Sequence, residues 1–140
     1  MRAIILAAGM GTRLGKYTRD LPKGMLSFRC IPLIQRQINC LRELNLKDIV
    51  LVGGYKAEKL DFKDIKLFVN PDYSSTNMVA SLFCAEKELD GPVLVCYSDI
   101  IYERRVIESA LESKADIGVV VDDDYLQYWQ SRQSRWMDDL

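Results

Sequence analysis

Histidine is absent from the 140 residues of this sequence, and cysteine is scarce. The missing imidazole excludes Ser-His-Asp and Cys-His catalysis and any histidine-ligated zinc site. The four cysteines, Cys30, Cys40, Cys84 and Cys96, are too widely spaced for a Cys-x-x-Cys pair, so neither a zinc ribbon nor a thioredoxin-type site is expected. Each lies in an apolar or amphipathic stretch, which predicts four buried free thiols.

The sequence also lacks an excess of charge and a long apolar run. Its 19 basic and 20 acidic side chains give a net charge of -1, which argues against a protein that coats nucleic acid. No stretch approaches the ~18 apolar residues of a membrane span, and the apolar run at the start is too short for a signal peptide. We therefore expect a cytoplasmic protein with neither a nucleic-acid nor a membrane partner.

Short runs rich in Ile and Val dominate what is present. Unlike half-exposed strands, they do not alternate between apolar and polar residues, which is typical of parallel strands covered on both faces. Strands are predicted at 3–7, 49–52, 93–97 and 117–121, with a weaker one at 65–69.

Amphipathic helical patterns separate these runs. One helix is predicted to begin with Pro32 as its first residue. A second is capped by Ser75 or Thr76 and stopped at 90–92, and a third covers 103–113. Strands that alternate with helices predict an α/β fold, a Rossmann-like three-layer α/β/α arrangement with a mostly parallel sheet. Ligands of such sheets bind beyond the carboxyl ends of the strands.

A loop of small residues follows the first predicted strand. The stretch reads Leu6, Ala7, Ala8, Gly9, Met10, Gly11, Thr12, Arg13 and Leu14. Glycines at the carboxyl end of a strand let backbone N–H groups approach a phosphate without a Cβ clash. A tight turn that needs glycine only for its positive φ would look the same, so the glycines alone leave both interpretations open.

Two better-known glycine motifs do not match this loop. A Walker A motif ending at Gly15 and Lys16 would need glycine where Met10 stands and a hydroxyl residue where Tyr17 stands. A dinucleotide-binding loop needs glycine or alanine in place of Leu14, and an acidic residue after the second strand, where the chain has glycine and tyrosine.

Four cations lie close to the glycine loop. Arg13, Lys16, Arg19 and Lys23 fall within eleven residues, and Pro22 stiffens the backbone that presents Lys23. Each cation alone is typical of a solvated surface. Together with backbone donors they favour a polyanion site, most simply a triphosphate.

The loop and the following segment together resemble a known family. Residues 6–14 match the pattern L-A-A-G-x-G-T-R-L, and residues 21–26 match the P-K-x-[ML] element of nucleotidyltransferases that make nucleotide-activated sugars and alcohols. Residues 52–55 and 77–82 resemble further family segments, and Asp99 stands where the family keeps a metal-binding aspartate. The resemblance covers about residues 1–125 and implies the nucleotide-diphospho-sugar transferase type of fold.

This resemblance implies roles for individual residues. Arg13 would hold the β- and γ-phosphates of an NTP, Lys23 would neutralise the α-phosphate, and Asp99 would bind Mg²⁺. Nucleotide contacts are implied for Leu6, Ala7, Ala8, Gly9, Gly11, Thr12, Gly53, Asn77 and Ser81. Asn77 and Ser81 suit a pyrimidine edge and a helix start equally well, and Gly53 suits either a close approach to the base or a turn.

One departure concerns the metal. Many family members carry Asp-x-Asp where this chain has Tyr97-Ser98-Asp99, and they supply a second carboxylate from a C-terminal half. The acidic run 122–124 is a possible substitute, although a solvated acidic turn is the simpler interpretation.

The spacing of the motifs most resembles the phosphocholine cytidylyltransferase-like branch. That branch implies transfer of CMP from CTP to a small phosphorylated or phosphonate acceptor, such as phosphocholine, with release of pyrophosphate. Two alternatives stay open: a nucleotide-binding module or fragment without turnover, and a sugar-1-phosphate nucleotidyltransferase.

The end of the sequence differs from the rest. We expect a nucleotide-binding domain over 1–124 and, over 125–140, an amphipathic tail that begins a truncated acceptor-binding region. Trp129 and Trp136 on a terminal helix would leave an apolar face in water, which predicts a homodimer. Tyr125, Trp129 and Arg132 also resemble the start of the family's acceptor region. The sequence therefore leaves open whether these residues pack against a partner chain or contact the acceptor.

Overall fold

A four-stranded parallel sheet organises the molecule. In this computed structural model, residues 1–132 are described, with side chains through residue 131. The strands are β1 (Arg2–Ala7), β2 (Ser27–Phe28), β3 (Ile31–Pro32), β4 (Ile49–Gly53), β5 (Lys66–Val69) and β6 (Val93–Tyr97). The helices are α1 (Leu33–Glu43), α2 (Met78–Phe83), α3 (Arg104–Glu112) and α4 (Tyr125–Arg132). The sheet order is β5-β4-β1-β6, and β2 and β3 form a separate antiparallel hairpin.

The register places β1 at the centre of the sheet. Ala3 pairs with Ile49 of β4 on one side, and Arg2 pairs with Val93 of β6 on the other. Alternate side chains of β1 enter different clusters, because successive residues of a strand face opposite sides. Ile5 packs in the cluster that holds the buried residues of α1 and α3, whereas the cluster of Ile4 holds Leu82 of α2. The predicted three-layer α/β/α fold is confirmed.

Four of the five predicted strands form, and the one at 117–121 does not. Residues 117–121 have no strand conformation, and Ile117 and Val119 are 89% and 82% exposed. A strand needs a hydrogen-bonded neighbour and a covered face to be stable. Within residues 1–132 this segment has neither, so that prediction is wrong.

The second helix is shorter than expected and begins differently. Its cap is Asn77, not Ser75 or Thr76: the Asn77 Oδ1 accepts hydrogen bonds from the N–H groups of Val79 and Ala80. The chain leaves helical geometry at Ala85, whose fully buried side chain packs in the cluster of β1 and β4. A single 3-10 turn follows over Glu86–Glu88.

Two smaller expectations are corrected as well. Pro32 ends β3 and caps α1, so the helix begins one residue later than predicted. Of the four thiols only Cys96 is buried, and Cys40 and Cys84 are half-buried. Cys30 is exposed because it lies in the tight turn between β2 and β3, where it and Arg29 adopt positive φ.

The predicted terminal helix is present as α4 and includes Trp129. Trp136 lies outside the described residues. No helix among those described has the length and apolarity that crossing a bilayer requires.

Candidate functional site

The carboxyl ends of the four parallel strands bring the predicted residues to one edge. The glycine loop follows β1, Gly54 and Tyr55 follow β4, Asn70 follows β5, and Ser98 and Asp99 follow β6. These loops are tied together by backbone hydrogen bonds: Tyr55 N donates to Ala8 O at 3.0 Å, and Ser98 N donates to Leu6 O at 3.0 Å. The edge is therefore one connected surface.

The glycine loop is shaped around Gly11. Its φ of 64° is left-handed, a conformation that favours glycine. A Cβ there would lie 3.1 Å from Thr18 Cγ2 and 3.2 Å from Lys23 Cβ. Thr18, which is buried, donates from Oγ1 to Gly11 O at 2.9 Å and closes the 3-10 turn of Thr12–Thr18. Gly11 thus lets the loop pack directly against Lys23.

Gly9 differs from Gly11. A Cβ at Gly9 would meet no atom within 4 Å, and its φ is not left-handed. Neither packing nor backbone strain therefore requires glycine here. Gly9, Thr12 and Arg13 are exposed, whereas Leu6, Ala7 and Ala8 are buried below them. The upper part of the loop leaves its backbone open to a ligand.

The structure joins Lys23 and Asp99, which are 76 residues apart in sequence. Lys23 Nζ lies 2.5 Å from Asp99 Oδ2, and each side chain is 34% exposed. Gly24 makes this approach possible, because a Cβ there would lie 2.6 Å from Ile34 Cδ1 and 2.8 Å from Ser98 Cβ. Close packing at Gly24 brings the Lys23 segment against the loop that carries Asp99.

Asp99 is the residue that the sequence resemblance predicts as a metal ligand, and it lies at this edge after β6. Mg²⁺ binds through one or two carboxylates together with substrate phosphates and keeps several waters, so one aspartate beside a phosphate site fits that ion. Residues 1–132 contain no group of three or more potential metal ligands. The acidic run 122–124 forms an exposed turn in which Asp122 Oδ1 accepts a hydrogen bond from Asp124 N.

The three residues expected near a base differ in how exposed they are to solvent. Asn77 is exposed and caps α2. Ser81 is buried, and its Oγ lies 3.0 Å from Asn70 Nδ2, which donates to it. Gly53 is buried as well: its carbonyl accepts from Asn70 N, and a Cβ would lie 2.9 Å from Leu60 Cδ1. All three residues thus have structural partners, and Asn77, whose Oδ1 caps α2, is the exposed one.

The sequence interpretation missed Gln37. This residue of α1 is 2% exposed, and its Nε2 donates to Tyr97 O at 2.8 Å and to Ile100 O at 2.7 Å. The sequence does contain a clue to Gln37, because this polar residue interrupts the apolar stripe that Ile34 and Leu41 define on the helix.

Two side chains near the Asp99 loop, Cys96 and Tyr102, have raised pKa values. Burial raises the pKa of the Cys96 thiol and of the Tyr102 hydroxyl. The Tyr102 hydroxyl donates to Cys96 Sγ at 3.7 Å. Both groups stay protonated at neutral pH, so they contribute packing and not proton transfer.

A family model described as the MobA-like NTP transferase domain matches residues 3–136. The chain belongs to this family. The resemblance predicted from residues 6–14 and 21–26 is thereby confirmed.

Several cytidylyltransferases are similar to this MobA-like NTP transferase domain. CTP:phosphoglutamine cytidylyltransferase of Campylobacter jejuni is 33% identical over 99% of this chain and 59% of its own length. 2-Aminoethylphosphonate cytidylyltransferase of Lancefieldella rimae is 31% identical over 71% of this chain and 43% of its own. The structure of CTP:phosphocholine cytidylyltransferase from Streptococcus pneumoniae matches with a TM-score of 0.66 and 36% identity, covering 70% of this chain and 44% of that one. The chain therefore spans about half the length of these relatives.

Proposed function

We propose that this chain forms the nucleotide site of a cytidylyltransferase. In this proposal CTP binds with its triphosphate over the glycine loop, and CMP passes to a small phosphorylated or phosphonate acceptor with release of pyrophosphate. The observation that carries the proposal is the Lys23–Asp99 pair, which lies beside Gly11 at the carboxyl edge of the sheet. The three similar proteins, all cytidylyltransferases, support the choice of CTP and of the acceptor class.

The proposed chemistry needs no general base. An anionic oxygen of the acceptor attacks the α-phosphorus in line, the bond to the bridging oxygen breaks, and pyrophosphate leaves with the electron pair. Because the nucleophile is already ionised, catalysis reduces to positioning and charge neutralisation. A chain without histidine is compatible with this requirement.

Charge neutralisation is assigned to two cationic side chains and to a metal ion that Asp99 would hold. Arg13 would grip the β- and γ-phosphates, since a guanidinium binds phosphate oxygens in a bidentate manner. Lys23 would turn from Asp99 to the α-phosphate as negative charge develops there. Asp99 would hold Mg²⁺, which when bound supplies positive charge to the phosphates.

The remaining contacts follow the exposure of each residue. Gly9, Gly11 and Thr12 would present backbone N–H groups to the phosphates above the buried Leu6, Ala7 and Ala8. The exposed amide of Asn77 would meet the base. Ser81 and Gly53 would act indirectly, through Asn70, by keeping the turn before α2 in place.

Pyrophosphate release tests the proposal. CTP would be offered with phosphocholine, 2-aminoethylphosphonate or phosphoglutamine, and UTP with glucose 1-phosphate would serve as the sugar-phosphate comparison. Lys23→Ala should lower the rate by about 10²–10³-fold, as loss of one charge-stabilising donor does elsewhere. Lys47→Ala is the matched control, because Lys47 is an exposed lysine that precedes β4 at the opposite edge of the sheet.

A nucleotide-binding module without turnover is the second candidate. It is favoured by one observation: Gly11, Lys23 and Asp99, which the structure brings together, account for a nucleotide and not for an acceptor. Calorimetry with CTP and Mg²⁺ separates the two functions. Binding without pyrophosphate release would support the module, and absence of binding would reject both.

The assignments for the tail belong to the same proposal. We place a functional boundary where α4 begins, with 1–124 binding the nucleotide and α4 starting an acceptor-binding region. Exposed Phe83, Val121 and Tyr125 support the predicted homodimer, because apolar surface of this kind favours association. Light scattering at micromolar concentration checks it, and a monomer mass would refute it.

A cytoplasmic location stays a prediction, which fractionation of cells would test.

A further inference from the structure

Gln37 connects helix α1 to the loop that carries Asp99. Its Nε2 donates one hydrogen bond to the carbonyl of Tyr97 and another to the carbonyl of Ile100. These two carbonyls flank Ser98 and Asp99 on either side. A single buried amide therefore bridges the loop across the metal-binding candidate.

The orientation of this amide is fixed by its neighbours. Turning the group over would place Oε1 against the carbonyl oxygens of Tyr97 and Ile100, which are both acceptors. In the orientation found, Oε1 is buried and has no hydrogen-bond partner among residues 1–132. An unpaired buried oxygen costs free energy, and methionine of similar volume would avoid that cost. Packing alone thus does not account for glutamine here.

The same helix supports the other half of the ion pair. Ile34, one turn before Gln37, packs against Gly24 next to Lys23, and Gly24 also packs against Ser98. Helix α1 consequently holds the Lys23 segment through an apolar contact and the Asp99 loop through two hydrogen bonds. These two supports act on the segments that carry Lys23 Nζ and Asp99 Oδ2, which lie 2.5 Å apart.

We infer that Gln37 is a positioning residue for Asp99. Its two donors hold the 97–100 loop in the conformation that presents the Asp99 carboxylate at the phosphate site. The part of the inference that says Gln37 affects metal and nucleotide binding rests on the proposed function. The part that says Gln37 holds the 97–100 loop rests on the loop geometry alone.

Whether Gln37 holds the 97–100 loop is tested without ligand, in the unaltered chain and in one variant. By NMR, hydrogen exchange of the Gln37 side-chain amide should be at least about 10²-fold slower than that of Gln35, a half-buried glutamine of α1 whose Nε2 donates to Asn39 Oδ1. In Gln37→Met the backbone order parameters of Asp99 and Ile100 should fall from about 0.85 to below about 0.6. Gln35→Met is the matched control and should leave them unchanged.

The effect of Gln37 on metal and nucleotide binding is tested by calorimetry with Mn²⁺ and CTP. Gln37→Met should weaken binding about 10–100-fold, as loss of a residue that supports a metal ligand does, whereas Gln35→Met should not. Far-ultraviolet circular dichroism of both variants should match that of the unaltered chain, because a partly unfolded protein would also bind more weakly and would also recover at saturating ligand.

Two results would overturn the inference: equal exchange of the Gln35 and Gln37 amides, or a folded Gln37→Met whose Asp99 loop stays rigid. The amide comparison needs no substitution, so it decides even if the variant fails to fold. Failure of the proposed function looks different, because the unaltered chain would then not bind CTP although its Gln37 amide remained protected.

Discussion

Residues 1–112 and residues 113–132 contain similar apolar stretches, yet only the first region buries them. The β1 residues Ile4 and Ile5 are fully buried between two neighbouring strands and two helical layers. In the second region Val119 and Val121 are 82% and 71% exposed. An Ile- and Val-rich run therefore becomes a buried strand only where the fold supplies a hydrogen-bonded neighbouring strand and covers both faces.

Thiol labelling should show the largest contrast between the two regions. Cys96 of β6 is buried, and burial raises the pKa of its thiol, so at pH 8 little of it is the reactive thiolate. A cysteine introduced by Val120→Cys would be exposed. Iodoacetamide should modify Cys96 at least about 10³-fold more slowly, since modification of Cys96 awaits unfolding. Peptide mass spectrometry measures both sites in one sample.

In urea the two thiols should be modified at similar rates. Equal rates without urea would instead show that β6 opens as readily as the tail, and the contrast between the regions would disappear.

Truncation of one side chain in each region gives the next largest effect. Ile5→Ala should lower the free energy of unfolding by about 2–5 kcal/mol, because it leaves a cavity in the core. Val119→Ala should change that free energy by less than about 0.5 kcal/mol. Urea denaturation followed by circular dichroism measures both. A loss above ~1 kcal/mol in Val119→Ala would mean that the tail is packed in solution.

Glycine substitutions test close packing at the site edge. Gly24→Ala should cost about 1–3 kcal/mol, because the added methyl group meets Ile34 and Ser98 at under 3 Å. Gly91→Ala is the control, since a Cβ there would meet nothing within 4 Å. Thermal unfolding compares the two variants. Equal melting temperatures would contradict the tight contact between the Lys23 segment and the Asp99 loop.

The Lys23–Asp99 pair itself should contribute less to stability than the buried side chain of Ile5 or the close packing at Gly24. Both side chains are about one-third exposed, so Asp99→Asn should change the free energy of unfolding by at most about 1 kcal/mol. Loss of nucleotide binding in a variant of nearly unchanged stability would show that the pair serves ligand binding more than folding. A much larger destabilisation would make the pair structural.

The sheet was largely predictable because its strands follow local rules. Uninterrupted apolar runs gave β1, β4 and β6 nearly to the residue, and the alternating helices gave the layers. The same rule failed at 117–121, since a run of this kind does not specify what pairs with it.

The site was predictable in its residue types and not in its contacts. Glycine and cation patterns pointed to the loop after β1, whose role stays a prediction. No local pattern shows that Lys23 meets Asp99 across 76 residues. The positions of Ser81 and Gly53 in family-like segments did not reveal that both residues are buried. Gln37 was detectable as a polar residue in an apolar stripe, whereas its two carbonyl partners depend on the tertiary fold.

The central place of β1 has a consequence for how the chain is made. The strand is synthesised before both of its neighbours, and Arg2 pairs with Val93, a residue that is added about ninety positions later. At roughly 5–20 residues per second, β1 waits on the order of 5–18 s for that neighbour. During this interval one edge of a strongly apolar strand is open to other chains. Slow non-local pairing of this kind makes the nascent chain a candidate for protection by chaperones during translation.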